Sequence, residues 1–289
     1  MSRFTRCRTE SSVRRLLRPL VLLLLVAATA TAQEPWYRGY GYGYNRVPPR
    51  FPKADSYDAS FSFCRGMFTS NRREQSGSGW STDYPDADVN FSIRLSELTK
   101  VRVGRQPTGD PNHLVVPLAD DWLYNCPYIH MEDVGTLMFS EAEVLRVRDY
   151  LLKGGFIWVD DSWGPWAQQQ WEEQIGRVLP PDAYPIRDLP HDHVVFRTMF
   201  EIPKLPQIPA ISHWRRFAGT STSERGEESA VPMIRGISDE HGNLMVLMTH
   251  NTDISDAWER EGEDPQYFYQ FSPDGYAVGL NVVLYAMMH

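Results

Sequence analysis

The sequence predicts an α/β domain with a mainly parallel β-sheet, and two neighbouring patterns support this fold class. Residues 140–143 (Ser-Glu-Ala-Glu) match the capping box that opens many helices. A continuous apolar run follows at residues 156–159 and ends in polar residues before Pro165, a residue type common in the first turn of a helix. A helix, a buried strand and another helix in succession are the repeating step of a parallel α/β sheet.

Short runs of apolar or alternating residues predict the strands that precede this unit. They lie at residues 59–64, 114–118 and 127–131. Residues 65–79 are rich in Arg, Ser and Gly and are expected to form a loop. Asp88 is expected to cap a helix that runs to Leu98.

Helical periodicity gives both predicted helices an apolar face. In the helix capped by Asp88, the face consists of Val89, Ile93, Leu95 and Leu98. In the helix opened by Ser140, it consists of Val144, Leu145, Val147, Leu151 and Leu152. Gly154 and Gly155 are expected to end this second helix.

The C-terminal part of the chain is less regular and contains many prolines. Residues 231–237 and 244–249 flank a His-Gly-Asn turn and predict a β-hairpin. Residues 276–288 are apolar on most sides and predict a helix that packs against the sheet.

The first 32 residues have the order of properties typical of a secretory signal. Six arginines precede an apolar run at residues 20–28, and the small residues Ala30 and Ala32 suit cleavage. The run is shorter than the roughly 20 residues of a membrane span, although a retained N-terminal anchor stays an alternative. We therefore expect a periplasmic or secreted protein, with a Tyr/Gly/Pro-rich linker at residues 33–56 and one α/β domain at residues 57–289.

The formal net charge limits the classes of partner that the protein is expected to bind. Removing six arginines and one glutamate with residues 1–32 changes the formal net charge from −8 to −13. An acidic surface repels phosphate backbones, so a nucleic-acid partner is not expected. The expected partner is a small polar ligand or a component of the cell envelope, and no membrane span is expected after signal cleavage.

Two cysteines, Cys64 and Cys126, remain after the signal. Both lie on or beside strand-like runs, so in an oxidising compartment they are candidates for a disulfide. The alternative is a pair of buried thiols that act as small apolar side chains.

Several motifs in fixed order resemble the bacterial family catalogued as domain of unknown function 4159. The resemblance covers about residues 57–288 and includes the motifs WSTDYP (80–85), PYIHM (127–131), LLKGGF (151–156), Asp160-Asp161 and GLNVVLY (279–285). One departure from the family pattern is Val194, which stands after His193 in place of a proline.

The resemblance implies a flavodoxin-like three-layer sandwich of the class I glutamine amidotransferase-like superfamily. Amidotransferases of that superfamily carry a nucleophilic cysteine on a tight turn between a strand and a helix. The matching turn here holds Asp160, Asp161 and Ser162. Glutamine hydrolysis by the cysteine route is therefore not expected.

The carboxyl ends of the predicted strands hold the main candidate residues, because ligands of open parallel sheets collect there. These candidates are Asp160, Asp161 and Ser162 after one strand, and His130 and Glu132 at the end of its neighbour. One aspartate is expected to face the crevice while the other caps the next helix, and His130 and Glu132 are expected to share a face. The structural alternatives are a hydrogen-bonded core histidine and aspartates that only cap or turn the chain.

His191 and His193 are a second candidate set. In an extended chain they project together and are candidates to ligate a divalent metal with Asp160 or Asp161. Histidines of an ordinary loop are the alternative interpretation, and no cofactor is predicted beyond this divalent metal.

Loops that combine aromatic rings and carboxylates form a third set. Trp80, Asp83 and Tyr84 lie in one such loop, which also contains Asp86 and Asp88, and are candidates for stacking on a sugar ring and binding its hydroxyls. The alternative places the tryptophan over the core, with the aspartates in turns. Asn251, Asp253 and Asp256 near Trp258 form a similar cluster.

Three functions are compatible with these candidates. The preferred hypothesis is a non-catalytic domain that binds a ligand or envelope component in a strand-end crevice. The second is a metal-assisted or carboxylate-based hydrolase that uses Asp160 or Asp161 with His130 or His193. The third is a structural protein of envelope assembly.

Overall fold

A mostly parallel sheet forms the centre of the protein, whose computed structural model describes residues 47–74 and 77–289. The strands in chain order are β1 (Phe63–Met67), β2 (Thr69–Ser70), β3 (His113–Pro117), β4 (Tyr128–Met131), β5 (Leu137–Met138), β6 (Phe156–Val159), β7 (Arg187–Asp188), β8 (Met233–Ser238) and β9 (Leu244–His250). Seven strands form one sheet in the order β3-β1-β4-β6-β9-β8-β7, and β2 pairs with β5 in a separate ribbon. The predicted α/β class is confirmed.

The order in which successive parallel strands are added to the sheet changes direction at one point. Strands β3, β1, β4, β6 and β9 are parallel, whereas β8 and β7 are antiparallel to their neighbours. Counted along the chain, the five parallel strands lie in the order 2-1-3-4-5, so the reversal falls between β1 and β4. Such a switch point leaves a gap between the loops at the carboxyl edge, where ligands of open α/β sheets bind.

Six helices accompany the sheet in the described residues: α1 (Asp86–Leu98), α2 (Glu141–Leu152), α3 (Gly164–Val178), α4 (Ile211–Arg216), α5 (Asp256–Glu259) and α6 (Pro265–Met288). Helices α1, α5 and α6 pack against one another, and α2 packs against α3. The first group shares one apolar cluster with the sheet residues Phe63, Tyr128 and Trp158. Across the described part of the chain, the search for a helix with the length and hydropathy of a membrane span found none.

Several predicted elements are confirmed. The Ser140 hydroxyl accepts a hydrogen bond from the Glu143 amide, and the Glu143 carboxylate accepts one from the Ser140 amide, so the capping box is complete. The strands predicted at residues 114–118, 127–131 and 156–159 are β3, β4 and β6 within one residue. The predicted hairpin is formed by β8 and β9.

The first strand lies further along the chain than predicted. The prediction ended at Cys64 because the next residue is an arginine, but β1 continues to Met67 with all five residues buried. A charged residue can lie inside a strand when ion pairs replace its hydration, and Arg65 has such pairs.

The predicted apolar faces are partly wrong. In α1 the buried face contains Ala87, Phe91 and Leu95, and Leu98 is exposed. In α2, Leu145 and Leu152 are exposed whereas Tyr150 is buried. Each helix has more apolar residues than positions that face the core. Periodicity alone therefore assigned some exposed leucines to the buried face.

The last helix is longer than predicted. It begins at Pro265, where the Asp264 carboxylate accepts hydrogen bonds from the amides of Gln266 and Tyr267. The sequence Ser-Pro-Asp-Gly at residues 272–275 is typical of a turn and led the prediction to start after it. Pro273 is tolerated inside the helix on its exposed side.

The predicted signal at residues 1–32 lies outside the described residues, as does the predicted linker up to residue 46. Residues 47–56 contain no helix or strand. They nevertheless contact the domain, because the Arg50 carbonyl accepts a hydrogen bond from the Val115 amide of β3.

Cys64 of β1 and Cys126, just before β4, form a disulfide. Both residues are almost fully buried. The bond closes a loop of 62 residues that contains α1 and β3, so it restricts the conformations of the unfolded chain. In the folded protein it lies beside β1 and β4, the strands between which the strand order reverses.

Replacing both Cys64 and Cys126 with alanine is expected to lower the free energy of unfolding by about 4 kcal/mol, the chain-entropy value for a loop of this length. Denaturant unfolding of wild type and variant measures the difference. Thiol titration of the denatured, unreduced protein is the control, and reaction of these two cysteines with the reagent would contradict the disulfide.

Candidate functional site

Arg65 organises the carboxyl edge of the sheet from inside the protein. Its guanidinium is fully buried, and all five N–H groups have acceptors. They donate to the Asp88 carboxylate, the carbonyls of Trp80 and Thr82, and Glu132 Oε1 at 3.0 Å. The Arg65 side chain of β1 therefore connects the end of the neighbouring strand β4, helix α1 and the loop between β1 and α1.

His130 and Glu132 share one face at the end of β4, as predicted. His130 Nε2 lies 2.8 Å from Glu132 Oε1, and both side chains are fully buried. The imidazole is also surrounded by the rings of Phe63, Trp158 and Trp258 at centroid distances of 5.4, 5.0 and 5.8 Å. This is the environment of the hydrogen-bonded core histidine that the sequence left as an alternative.

Asp160 and Asp161 take different positions after β6, but neither caps helix α3. Asp160 is fully buried, and its Oδ2 accepts hydrogen bonds from the amides of Ile254 and Ser255 at 2.7 and 3.1 Å. Asp161 accepts a hydrogen bond from the Trp163 indole. The predicted capping role is wrong because Asn251 Oδ1 accepts the hydrogen bond from the Gly164 amide at the start of α3.

Ser162 forms a contact that sequence reasoning did not find. Its hydroxyl lies 2.8 Å from Nδ1 of His250, the last residue of β9. Burial, followed by the charge of Arg235, lowers the pKa of His250 to about 4, so the imidazole is neutral at pH 7 and free to accept the hydrogen bond. The pair ties the turn after β6 to the end of β9.

The predicted stacking loop is packed inward. Trp80 and Tyr84 are almost fully buried, with ring centroids 5.7 Å apart, so Trp80 is not available as a platform for a sugar ring. The physical reason is Arg65, which binds the carbonyls of Trp80 and Thr82 and so holds the loop against the sheet. Asp88, predicted to cap α1, is instead the buried ion partner of that arginine.

Asp83, Asp253 and Asp256 converge although they come from two distant parts of the chain. One carboxylate oxygen from each residue lies within 4.8 Å of those of the other two. Asp253 Oδ1 accepts a hydrogen bond from the Asp256 amide, and Asp256 Oδ2 accepts one from the Tyr267 hydroxyl. The loop that holds the last two aspartates is anchored by Asp160 through its hydrogen bonds to residues 254 and 255.

We use the name acidic cluster for the carboxyl groups that influence one another at this edge, namely Asp83, Glu132, Asp133, Asp160, Asp161, Asp253, Asp256 and Glu259. Burial and mutual repulsion raise the pKa values of Asp83, Asp161 and Asp253 well above the usual range. They also raise the pKa values of Asp133 and Glu259 to about 7.

Nearby positive charge acts against burial on the pKa values of two members of the acidic cluster, Glu132 and Asp160. Burial alone would raise the pKa of Glu132, but Arg65 and His130 outweigh burial and lower it. Burial raises the pKa of Asp160 to about 6, and the nearby His130 opposes this rise. Glu132 is therefore held as a carboxylate, whereas burial and repulsion oppose the ionisation of Asp83, Asp161 and Asp253.

Each of the four central loops contains a non-glycine residue with a left-handed backbone. The residues are Asp83 after β1, Asp133 after β4, Asp161 after β6 and Asn251 after β9, with φ angles of 60°, 49°, 48° and 59°. Asp and Asn adopt this conformation more readily than most residues. Backbone strain of this kind collects at functional sites, where surrounding contacts hold it in place.

His191 and His193 lie far from this edge. The His193 ring contacts Tyr285 at a centroid distance of 5.8 Å, and Tyr285 in turn contacts Phe156 and Leu244, the first residues of β6 and β9. The histidines thus lie at the amino edge, and the prediction that they share a metal ion with Asp160 or Asp161 is wrong. Strand β6 separates the two sets.

One cavity of the described residues lies at the opposite edge of the sheet from the acidic cluster. A cavity of about 310 Å³ opens at the amino edge and is lined in part by Gly155, Tyr184, His241 and His289. At the carboxyl edge, by contrast, Asp160, Glu132, Asp253 and Asp256 are almost fully buried. The residues expected to line a strand-end crevice are packed into a buried polar cluster.

Sequence reasoning found some residues of the acidic cluster and missed others. It named Asp253 and Asp256 as a polar group near Trp258, but it did not join them to Asp83. Arg65 and Glu259 were missed because a single charged residue in a strand or short helix has no distinctive pattern. The signal that was available is the position of Arg65, directly after the predicted strand at residues 59–64 and directly before Gly66 and Met67.

Replacing Arg65 with methionine is expected to lower the free energy of unfolding by about 3–5 kcal/mol, because Asp88 and Glu132 would remain buried without a cation. Denaturant unfolding measures the loss. Arg94→Met is the matched control, since Arg94 pairs with Glu97 and Glu261 at the surface and its removal should cost about 1 kcal/mol or less. Equal losses in the two variants would contradict the role given to Arg65.

His250 is expected to contribute a pH dependence to stability. Its folded pKa of about 4 lies below the unfolded value of 6.5, so the unfolded state binds the proton first and stability falls as the pH drops from about 6.5 toward 4. Relative to His250→Asn, whose Oδ1 replaces Nδ1 as acceptor for Ser162, wild type should lose roughly 2 kcal/mol more between pH 6.5 and 4.5. Parallel stability curves of the two proteins in urea would exclude this contribution.

Comparison with known proteins gives one match. The family model "Domain of unknown function (DUF4159)" matches residues 71–287, about three quarters of the chain. A search of curated proteins found no match. The matched residues include every member of the acidic cluster, and the chain belongs to the DUF4159 family.

Proposed function

We propose that the protein is a binding domain whose acidic cluster takes a cationic ligand at the carboxyl edge of the sheet. One observation supports this function above the others, namely the convergence of Asp83, Asp253 and Asp256 from loops 170 residues apart in the chain. Mutually repelling carboxylates lower the stability of a fold, so an arrangement that collects them favours a ligand that neutralises them.

The arginines near the acidic cluster leave it negative. Arg65 is shared between Asp88 and Glu132, and Arg260 pairs with Asp256 and Glu259. Arg72 adds a third positive charge near Asp133, so in the described residues three guanidinium groups face the eight carboxyl groups of the acidic cluster together with Asp88. At neutral pH a bound cation would replace the protons that the raised pKa values otherwise retain.

The packing of this edge supports a small ligand rather than a saccharide. Glu132 and Asp160 are fully buried, and Trp80 of the loop that Arg65 binds is almost fully buried. A ligand of a few atoms needs no open crevice, whereas drug-sized ligands occupy clefts of about 300 Å³ or more.

We also propose the flavodoxin-like three-layer architecture of the glutamine amidotransferase-like superfamily, which the 2-1-3-4-5 order of the parallel strands supports. Export to the periplasm or cell exterior remains a proposal that rests on the arginines and apolar run of the first 32 residues. A disulfide between Cys64 and Cys126 is compatible with such a compartment.

Thermal unfolding with a panel of cations tests the binding function. The panel holds Ca²⁺, Mg²⁺, Mn²⁺, spermidine and glucosamine at matched ionic strength, after treatment of the full-length protein with chelator. At least one member is expected to raise the Tm of wild type by about 5–10 °C when its concentration is roughly 100 times Kd.

Asp253→Asn supplies the diagnostic variant. It keeps the acceptor for the Asp256 amide but removes one negative charge, so without ligand it is expected to unfold at a higher temperature than wild type and to lose the response to the cation. Asp274→Asn, on the exposed side of α6, is the control and should respond like wild type. Absence of any cation response in wild type would refute the proposed function.

A further inference from the structure

The cavity at the amino edge of the sheet is a second candidate binding site, separate from the acidic cluster. It has a volume of about 310 Å³, and most of its lining comes from the end of α2, the turn between β8 and β9, and the end of α6. Clefts of this size hold small organic ligands. No member of the acidic cluster lines the cavity, so a ligand bound here is independent of the proposed function.

The floor of the cavity is apolar. It consists of side chains that are almost fully buried in the protein and yet line the cavity, namely Leu151, Phe156, Leu244 and Ala286. The cavity therefore reaches the interior of the domain. A hydrocarbon or aromatic group placed on this floor is removed from water, which favours binding.

The mouth of the cavity, formed by the turn at residues 239–243, carries negative charge. The carboxylates of Asp239 and Glu240 both line it. Among the residues that the structure describes, no lysine or arginine lines the cavity. Lys153, which directly follows α2, pairs instead with Asp149 at 2.7 Å. The charge at the mouth is therefore not neutralised by a basic side chain of the lining.

Two helix C-termini add partial negative charge at the same place. Helix α2 ends at Leu152 and α6 ends at Met288, and Leu152 and Ala286 of their last turns line the cavity. The C-terminal end of a helix carries the negative end of its dipole, because the last carbonyls point out of the helix. Side chains and backbone thus both favour a positive group here.

The turn at the mouth is held in one conformation by its own hydrogen bonds. The Asp239 carboxylate accepts hydrogen bonds from the amides of His241 and Asn243 at 2.9 and 2.8 Å. His241 and Asn243 also line the cavity, as does His289 after α6. Their side chains offer further hydrogen-bonding groups beside the carboxylates.

We infer that this cavity binds a small organic amine in its protonated form. The apolar part of the ligand lies on the floor, and its ammonium group lies at the mouth beside Asp239 and Glu240. Carboxylates and helix C-termini attract the ammonium group and repel a carboxylate or phosphate ligand. An inorganic cation is disfavoured because the apolar floor offers it no ligand atoms.

Three matched probes test this inference on the full-length protein. The probe 2-phenylethylamine has a ring and an ammonium group, 2-phenylethanol has the ring without the charge, and ethylamine has the charge without the ring. Isothermal titration calorimetry is expected to show saturable binding of 2-phenylethylamine at one site per chain. The Kd of each of the other two probes is expected to be about tenfold weaker or more.

Charge reversal at the mouth gives a diagnostic variant. Glu240→Lys changes an exposed residue that lines the cavity and is expected to weaken the Kd of 2-phenylethylamine by about fivefold or more. Glu201→Lys makes the same change at an exposed residue that does not line the cavity, and it should leave Kd unchanged. Ala286→Leu places a larger side chain at the floor and should abolish binding.

Three results would overturn the inference, namely no saturable binding of 2-phenylethylamine, equal affinity for 2-phenylethanol, or equal affinity in Glu240→Lys and Glu201→Lys. The ligand-free Tm shows whether each variant folds, and the exposed Glu240 decides the matter if Ala286→Leu does not fold. Asp253→Asn should bind 2-phenylethylamine like wild type. Loss of binding in Asp253→Asn would place the amine at the acidic cluster and also overturn the inference.

Discussion

The buried guanidinium of Arg65 is the constraint on which the carboxyl edge depends. A fully buried charge is stable only when each of its donors is satisfied, and here five acceptors from three separate parts of the chain surround it. The same contacts draw the loop after β1 inward, hold Glu132 as a carboxylate and position α1 through Asp88. The contacts that stabilise the buried charge of Arg65 therefore also position the residues of the acidic cluster.

Around this arginine the protein gathers more negative charge than it neutralises. Asp160 accepts hydrogen bonds from two backbone amides and anchors the loop after β9, whereas in the described residues Asp253 accepts one from the Asp256 amide and Oδ2 of Asp83 has no partner. The left-handed residues in the four central loops are a further local cost. Repulsion and strain at one edge, beside a well-packed core, are typical of a site that trades stability for binding.

Much of the fold was predictable because local patterns agree with it. The capping box at Ser140, the apolar run of β6 and the hairpin of β8 and β9 are each set by residues close in sequence. The site was predictable only in part. The edge of the sheet and residues such as His130 and Glu132 follow from strand ends, but the position of His193 depends on how the irregular segment after residue 180 packs, which no local pattern specifies.

The sequence by itself determined the α/β class, the acidic charge, the order of the main strands and helices, and the presence of polar residues after buried strands. Only the tertiary structure decided that Arg65 is buried, that Trp80 turns inward and that Asp83 meets Asp253 and Asp256. The physical reason is the distance along the chain over which each kind of interaction acts. Helix caps and strand alternation act over a few residues, whereas the pairing of buried charges depends on which loops the strand order places side by side.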